Sequence, residues 1–360
     1  MTINPFDSFI KLVRIGIGAS KDVTIPNGLD WATLKALADA QGLSAVVLDA
    51  IDKLSTDATE TMPQMLRLEW IGEVMQNYEA RYLAYEKAIG SLAGFYNRHG
   101  FKMMVLKGYA CCLDWPKPEH RPCGDIDIWQ FGQQKEADAA LVEEMGIVID
   151  NSHHHHTMFQ WEDFVVENHY DFVNVHSRRS SAEMEKVFKS LGKDDSHSVD
   201  VCGERVYLPS PNLHALFLVK HLASHFTGAN ITLRQVLDWA FFIKEHSSEI
   251  DWEWFDRMLE KYHLKDFISC IKAICVENLG FDAAAFKRVQ FKPQLKDRIL
   301  SDILNPEFKT ASPKHIVPRL KYKYRRWHGN AWKQELCFSE SRWESFLTGI
   351  WAKMLKPSSI

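Results

Sequence analysis

The chain has 360 residues, 46% hydrophobic and 25% charged, an ordinary globular balance that excludes a disordered or fibrous protein. At roughly 100–200 residues per domain, that length suffices for two or three structural units. The formal net charge of −4 excludes a global attraction to nucleic acid, so any such contact has to come from a local patch.

Up to about residue 100 the pattern is helical. LDWATLKALADAQGLSAVVLDAIDKL carries apolar residues at helical spacing, and MLRLEWIGEVMQNYEARYLAYEKAIGSLAGFYNRHG is a long amphipathic stretch ended by Gly100. The period then changes. FKMMVLKG is a short apolar run, read as a strand closed by a Lys107-Gly108 turn, and YACCLDW reads as a short helix. GDIDIW is a second strand, and QKEADAALVEEMG a helix capped by Gly146. HHTMFQW and DFVVENHYDFVNVH read as two strands joined by a Glu-Asp turn. From Pro209 the chain is helical again, opening on a Ser-Pro-Asn cap signal before HALFLVKHLASHF. The expected organisation is α+β. A small mixed sheet over 101–208 lies between a helical region over 1–100 and a helical domain over 209–360.

Seven cysteines (Cys111, Cys112, Cys123, Cys202, Cys270, Cys275 and Cys337) show no metal-ligand spacing and read as free thiols of a reducing compartment. MTINPFDSFIKLVRIGIG has no leader pattern, and no run of about 18 apolar residues suggests a transmembrane segment. A cytoplasmic location is the expectation.

The chemistry concentrates in RPCGDIDIWQF, residues 121–131. Residues two apart on a strand project from one face, about 6.5–7 Å apart, so Asp125 and Asp127 point together. Ile126 and Ile128 then anchor the opposite face, and Gly124 admits a backbone or a phosphate. Two adjacent carboxylates repel unless a proton or a cation lies between them. Hard oxygen donors favour Mg²⁺ or Mn²⁺. The bland alternative is a pair of solvated strand-end acids. The context favours chemistry: VLKGYA is a strand opening into a helix, where backbone N–H groups and Lys107 suit phosphate. Glu167 on VVENHYDF supplies a third acid. Such a set suits metal-assisted nucleotidyl transfer.

These residues carry a resemblance. Leu106-Lys107-Gly108, then Arg121-Pro122-Cys123-Gly124-Asp125-Ile126-Asp127, then Glu167-Asn168-His169 resemble the bacterial uncharacterised nucleotidyltransferase family, within the DNA polymerase β-like nucleotidyltransferase superfamily. The helix bearing His221 and His225, and the segment LRQVLDWA after it, fit that family's C-terminal half. The resemblance spans about residue 29 to the Trp239 region. It implies an enzyme that transfers a nucleoside monophosphate from an NTP to an acceptor, which is a protein, RNA or a small molecule. It implies Mg²⁺ or Mn²⁺ on Asp125, Asp127 and Glu167, with Glu167 as general base. It implies triphosphate contacts from Lys107, Gly108, Arg121, Gly124, Lys220 and Arg234. The turn Lys107-Gly108-Tyr109 departs from the superfamily's usual Gly-Ser or Gly-Gly. Asp171 competes with Glu167 as third acid if the strand runs on unbulged, and Asn174 is a poorer ligand. An inactive nucleotidyltransferase fold that binds nucleotide or RNA is the alternative.

Several residues keep two readings. Arg121 contacts the triphosphate or holds the 118–122 loop by a salt bridge, and Arg234 contacts it or pairs with Asp238 one turn on. His153–His156 give a phosphate or base contact near the metal, a zinc site that no Cys or carboxylate spacing supports, or a polar strand start. His169, two positions from Glu167, orients a metal-bound carboxylate or is a satisfied buried histidine. Arg319, Lys321, Lys323, Arg325 and Arg326, interleaved with Tyr322, Tyr324 and Trp327, suit single-stranded RNA or a surface helix. Trp343, Phe346, Leu347, Ile350, Trp351, Met354 and Leu355 form an apolar stripe, with Lys353 and Lys356 nearby, for a membrane surface or the protein's own helices.

Overall fold

The computed structural model describes residues 4–176, 178–287, 290–308, 315–341 and 344. The apolar stripe of the tail, from position 343 onward, lies outside the described residues.

The N-terminal stretch read as continuous helix breaks where its sequence allows. Asp30 caps the helix Trp31–Gln41 by accepting from Thr33 N–H, and Gly42, at φ 66°, turns the chain into the helix Ser44–Ile51. The long amphipathic stretch runs from Gln64–Val74 through a π-turn, Met75–Glu79, into Ala80–Arg98. The π-turn inserts a residue and resets which face is apolar. Gly100, at φ 74°, ends it, and Phe101 N–H bonds back to the Tyr96 carbonyl.

The fold is α+β, and among the described residues helices surround one mixed sheet of six strands. They are β1 (Met104–Val105), β2 (Ile126–Trp129), β3 (His156–Trp161), β4 (Phe164–His169), β5 (Ser198–Val201) and β6 (Glu204–Tyr207), in spatial order β3-β4-β2-β1-β6-β5. β1 runs antiparallel to β2 and parallel to β6, while β2 runs parallel to β4. Two hairpins complete the edges. β3–β4 turns at Glu162-Asp163, with Glu162 at φ 50°, and β5–β6 at Cys202-Gly203, both with positive φ. Of the run FKMMVLKG, only Met104–Val105 pairs as strand, extended by a bond from Leu106 N–H to the Asp127 carbonyl.

The pleat divides the sheet between two cores. Val105, Ile126, Ile128 and Val166 pack under Tyr85, Leu92 and Tyr96 of the helix Ala80–Arg98. Met104, Leu106 and Trp129 face the other way, into a core built with the helices Pro211–Gly228 and Leu233–His246. Asp127 shares the parity of Trp129. It therefore lies on the side where the sheet meets the C-terminal helices. All seven cysteines are free thiols.

Candidate active site

The parallel pairing of β2 and β4 sets Asp127 directly opposite Glu167 and Trp129 opposite His169. The third acid on the neighbouring strand is thus a matter of register. β4 stops at His169, because the N–H groups of Tyr170 and Asp171 both turn to the His155 carbonyl. Asp171 leaves the strand and pairs with Lys189, so the continued parity that made it a rival to Glu167 does not exist. Asp125 precedes β2 and is exposed to the cleft. Its carbonyl accepts from the Tyr85 hydroxyl at 2.7 Å, and the Cys123 carbonyl accepts from Arg81 Nε at 3.0 Å. The helix Ala80–Arg98 thereby holds the approach to the acid strand from behind.

Asp127 is 1% exposed, yet charged. Lys107 Nζ lies 2.8 Å from Oδ1, and His169 Nε2 3.1 Å from the same oxygen. Burial acts to raise its pKa, but these two cations hold it well below the usual carboxylate range. The converse holds for His169. Burial opposes its charge, and hydrogen bonds to Asp127 and Glu167 outweigh burial and push it up to about 9. Its Nδ1 lies 3.2 Å from the Asp171 carbonyl, so both ring nitrogens face acceptors, as an imidazolium requires. Lys107 is raised despite desolvation, chiefly by Asp127 and then Asp125. Asp125 is raised by partial desolvation and by the charge of Asp127. Ligand atoms of Asp127, Glu167 and His169 lie within 4.8 Å of one another.

Two cavities meet at these residues. The first, about 320 Å³, is lined by Gly108, Arg121, Gly124, Arg234 and Asp238 together with Lys107, Asp125 and Asp127. The second, about 500 Å³, is lined by Glu167, His169, Asn174, Lys220 and Phe338, again with Lys107 and Asp125. Gly124, which lines the first cavity, has open space where a Cβ would stand. Gly108 is tighter: at φ 61°, a Cβ there would stand 2.5 Å from the Tyr85 hydroxyl. The helix after it is a single turn, Tyr109–Cys112, whose small dipole adds little to what individual N–H groups offer an anion.

The model of a family described as uncharacterised nucleotidyltransferase matches residues 27–280, well over half the chain. The chain belongs to that family. The matched span contains both acid-bearing strands, the Lys107-Gly108 turn and the helices carrying Lys220 and Arg234. It stops short of Phe338, which walls the second cavity. A solved structure of an antigenic nucleotidyltransferase-like protein from Paracoccidioides brasiliensis is similar over 44% of this chain and 74% of its own, at 14% identity and a TM-score of 0.32. No curated protein sequence matches closely enough to count as a relative.

In this nucleotidyltransferase family member, the cations read from the sequence divide between the cavities. Arg121 is 4% exposed and gives Nε and Nη2 to the two oxygens of Asp238, at 2.7 and 3.0 Å. Arg234 reaches the same carboxylate at 3.2 Å, one helical turn away. Lys220 lies apart from both, in the second cavity. Its Nζ is 3.3 Å from Ser181 Oγ and 4.7 Å from the Phe338 ring, and burial with Arg178 pushes its pKa down to about 8. His221 and His225 border both cavities; burial first, then Lys107, depresses their pKa values.

Sequence reasoning missed Asp238 as the partner of Arg121, Tyr85 as the support of Asp125, and Phe338 in the second cavity. Only the Arg234–Asp238 spacing carried a signal. The basic-aromatic segment forms the helix Ile316–Gly329. Lys321, Lys323 and Arg325 are exposed there, Tyr322 packs against Phe308, and Arg326 bonds to the Gly228 carbonyl. Among the described residues no helix is long and apolar enough to cross a membrane.

Proposed function

We propose that the protein is a metal-dependent nucleotidyltransferase that moves a nucleoside monophosphate from an NTP in the first cavity to an acceptor in the second. The observation that carries this reading is the Asp127–Glu167 register, with Asp125 and Lys107 standing on the wall the two cavities share. Asp127 and Glu167 on adjacent strands, with Asp125 just ahead of β2, form a hard oxygen donor set that fits Mg²⁺ or Mn²⁺. Asp125, Asp127 and Glu167 would hold the ion, which supplies Lewis-acid stabilisation of charge on the phosphoryl oxygens.

The chain's own residues do the rest. Lys107 and His169 keep Asp127 ionised. Lys107 and Arg234 face the first cavity as cations for the triphosphate, and the open space at Gly124 admits it. Arg121, bonded on two nitrogens to Asp238, acts by positioning the 118–122 loop. Glu167 lines the acceptor side and takes the proton of the attacking hydroxyl, which bonds to the α-phosphorus as pyrophosphate leaves. Lys220, expected from the sequence at the triphosphate, lines the second cavity and would contact the acceptor instead.

Calorimetric titration with each NTP tests the assignment of the first cavity. Binding is expected to need Mg²⁺, to fail in Asp125→Asn and to weaken in Arg234→Met, while Lys220→Met leaves it intact. Absence of NTP binding in the folded wild-type chain overturns the reading.

A further inference from the structure

The hairpin that carries Glu167 also gathers histidines. His156 stands opposite His169 in the β3–β4 register, and the His155 carbonyl is clamped by the N–H groups of Tyr170 and Asp171, each at 3.1 Å. Three imidazoles therefore converge, with ring centroids 4.4 Å apart for His155–His156, 5.5 Å for His155–His169 and 5.2 Å for His156–His169. One ring nitrogen from each lies within 4.8 Å of the others.

His156 is 5% exposed, and neither of its ring nitrogens makes a hydrogen bond; His155 Nδ1 is also buried without one. A buried polar nitrogen without a partner costs on the order of 1–3 kcal/mol, so unpartnered nitrogens on both His155 and His156, beside His169, imply a missing ligand. Glu167 Oε2, 3.8 Å from His156 Nδ1, stands beside them as an oxygen donor.

We propose that His155, His156 and His169 form a binding site for a borderline transition-metal ion of the Zn²⁺ class, adjacent to the carboxylate site. Imidazole nitrogen selects such ions over Mg²⁺, which demands oxygen. Lys107 opposes another positive charge here, and Asp127 with Glu167 offset it. The site stands on the histidine geometry alone and holds whether or not the chain transfers nucleotides.

Tag-free full-length protein, stripped with a chelator and titrated with Co²⁺, tests the site through the ion's visible d–d absorption, with Zn²⁺ as competitor and no nucleotide present. The expected result is Co²⁺ bound with a nitrogen-ligated spectrum, displaced by Zn²⁺. His155→Ala and His156→Ala should each lower affinity by at least about tenfold, while Asp125→Asn keeps the spectrum. Unchanged affinity in both folded histidine variants overturns the proposal. X-ray absorption on the metal-loaded wild type covers the case in which the variants fail to fold. Two or three imidazole scatterers support the site, and oxygen scatterers alone overturn it.

Discussion

Lys107 Nζ stands 2.8 Å from Oδ1 of Asp127, so the buried member of the acid pair already has its counter-charge within the protein. The two aspartates of Gly-Asp-Ile-Asp are therefore unequal. Asp127 is neutralised by Lys107 and His169, whereas Asp125 faces the cleft with its pKa raised by desolvation and by Asp127.

This inequality separates two conservative substitutions. Asp127→Asn leaves half-buried Lys107 and buried His169 without their shared anion, and should lower stability by about 3–5 kcal/mol, the usual cost of breaking a buried pair. Asp125→Asn removes a like charge beside Asp127, and should leave stability unchanged or raised while abolishing metal-dependent function. Urea denaturation of the two variants checks the contrast; equal losses would show that both aspartates are structural.

Gly108 is required by its backbone. Its φ of 61° and ψ of −103°, with Tyr85 Oη 2.5 Å from where a Cβ would sit, predict that Gly108→Ala costs about 1–3 kcal/mol. Tyr85→Phe removes the clashing oxygen, so the double variant should recover part of the loss. A double-mutant cycle in urea measures the coupling; strict additivity would contradict the contact.

The Arg121–Asp238 pair joins the 118–122 loop to the helix Leu233–His246. Both side chains are buried, so Asp238→Ala should destabilise by about 3–5 kcal/mol. Arg121→Lys should not substitute for arginine, because an ammonium cannot reproduce the bidentate fork. Thermal or urea melts of both variants decide; a neutral Arg121→Lys would argue against the fork.

Glu185 provides a pH test away from the acids. Its carboxylate accepts from Phe172 and Val173 N–H, yet burial raises its pKa from 4.5 to about 7. The folded value lies above the unfolded one. The stability it contributes is therefore fully present below about 4.5 and lost as pH rises through about 7. The loss should be on the order of 1–3 kcal/mol. Glu185→Gln should flatten that part of the stability–pH profile; an unchanged slope would contradict the assignment.

Local pattern made part of this site legible. Alternation predicted Ile126 and Ile128 facing the core, which the structure shows, and Asp125 beside Asp127 on one face, but β2 begins only at Ile126 and leaves Asp125 ahead of it; Glu167 and His169 share a face of β4 by the same period. Relationships across the chain left no pattern. Arg121 and Asp238 lie 117 positions apart and meet only when the last helices fold over the sheet. The end of β4 depends on the His155 carbonyl, a backbone contact that no side-chain pattern announces. β5 and β6 are four residues each with mixed exposure, too short for periodicity to show. The π-turn at Met75–Glu79 hides in an unbroken amphipathic run because every residue there is compatible with an α-helix.

The most direct test is transfer itself: incubation of the pure protein with each α-³²P-labelled NTP and Mg²⁺, with and without total cell RNA and protein. The account predicts label on an acceptor with the wild-type chain, and none with Asp125→Asn or Glu167→Gln. Label transferred equally by those variants, or none by a wild-type chain supplied with RNA, protein and small-molecule extract, would contradict it.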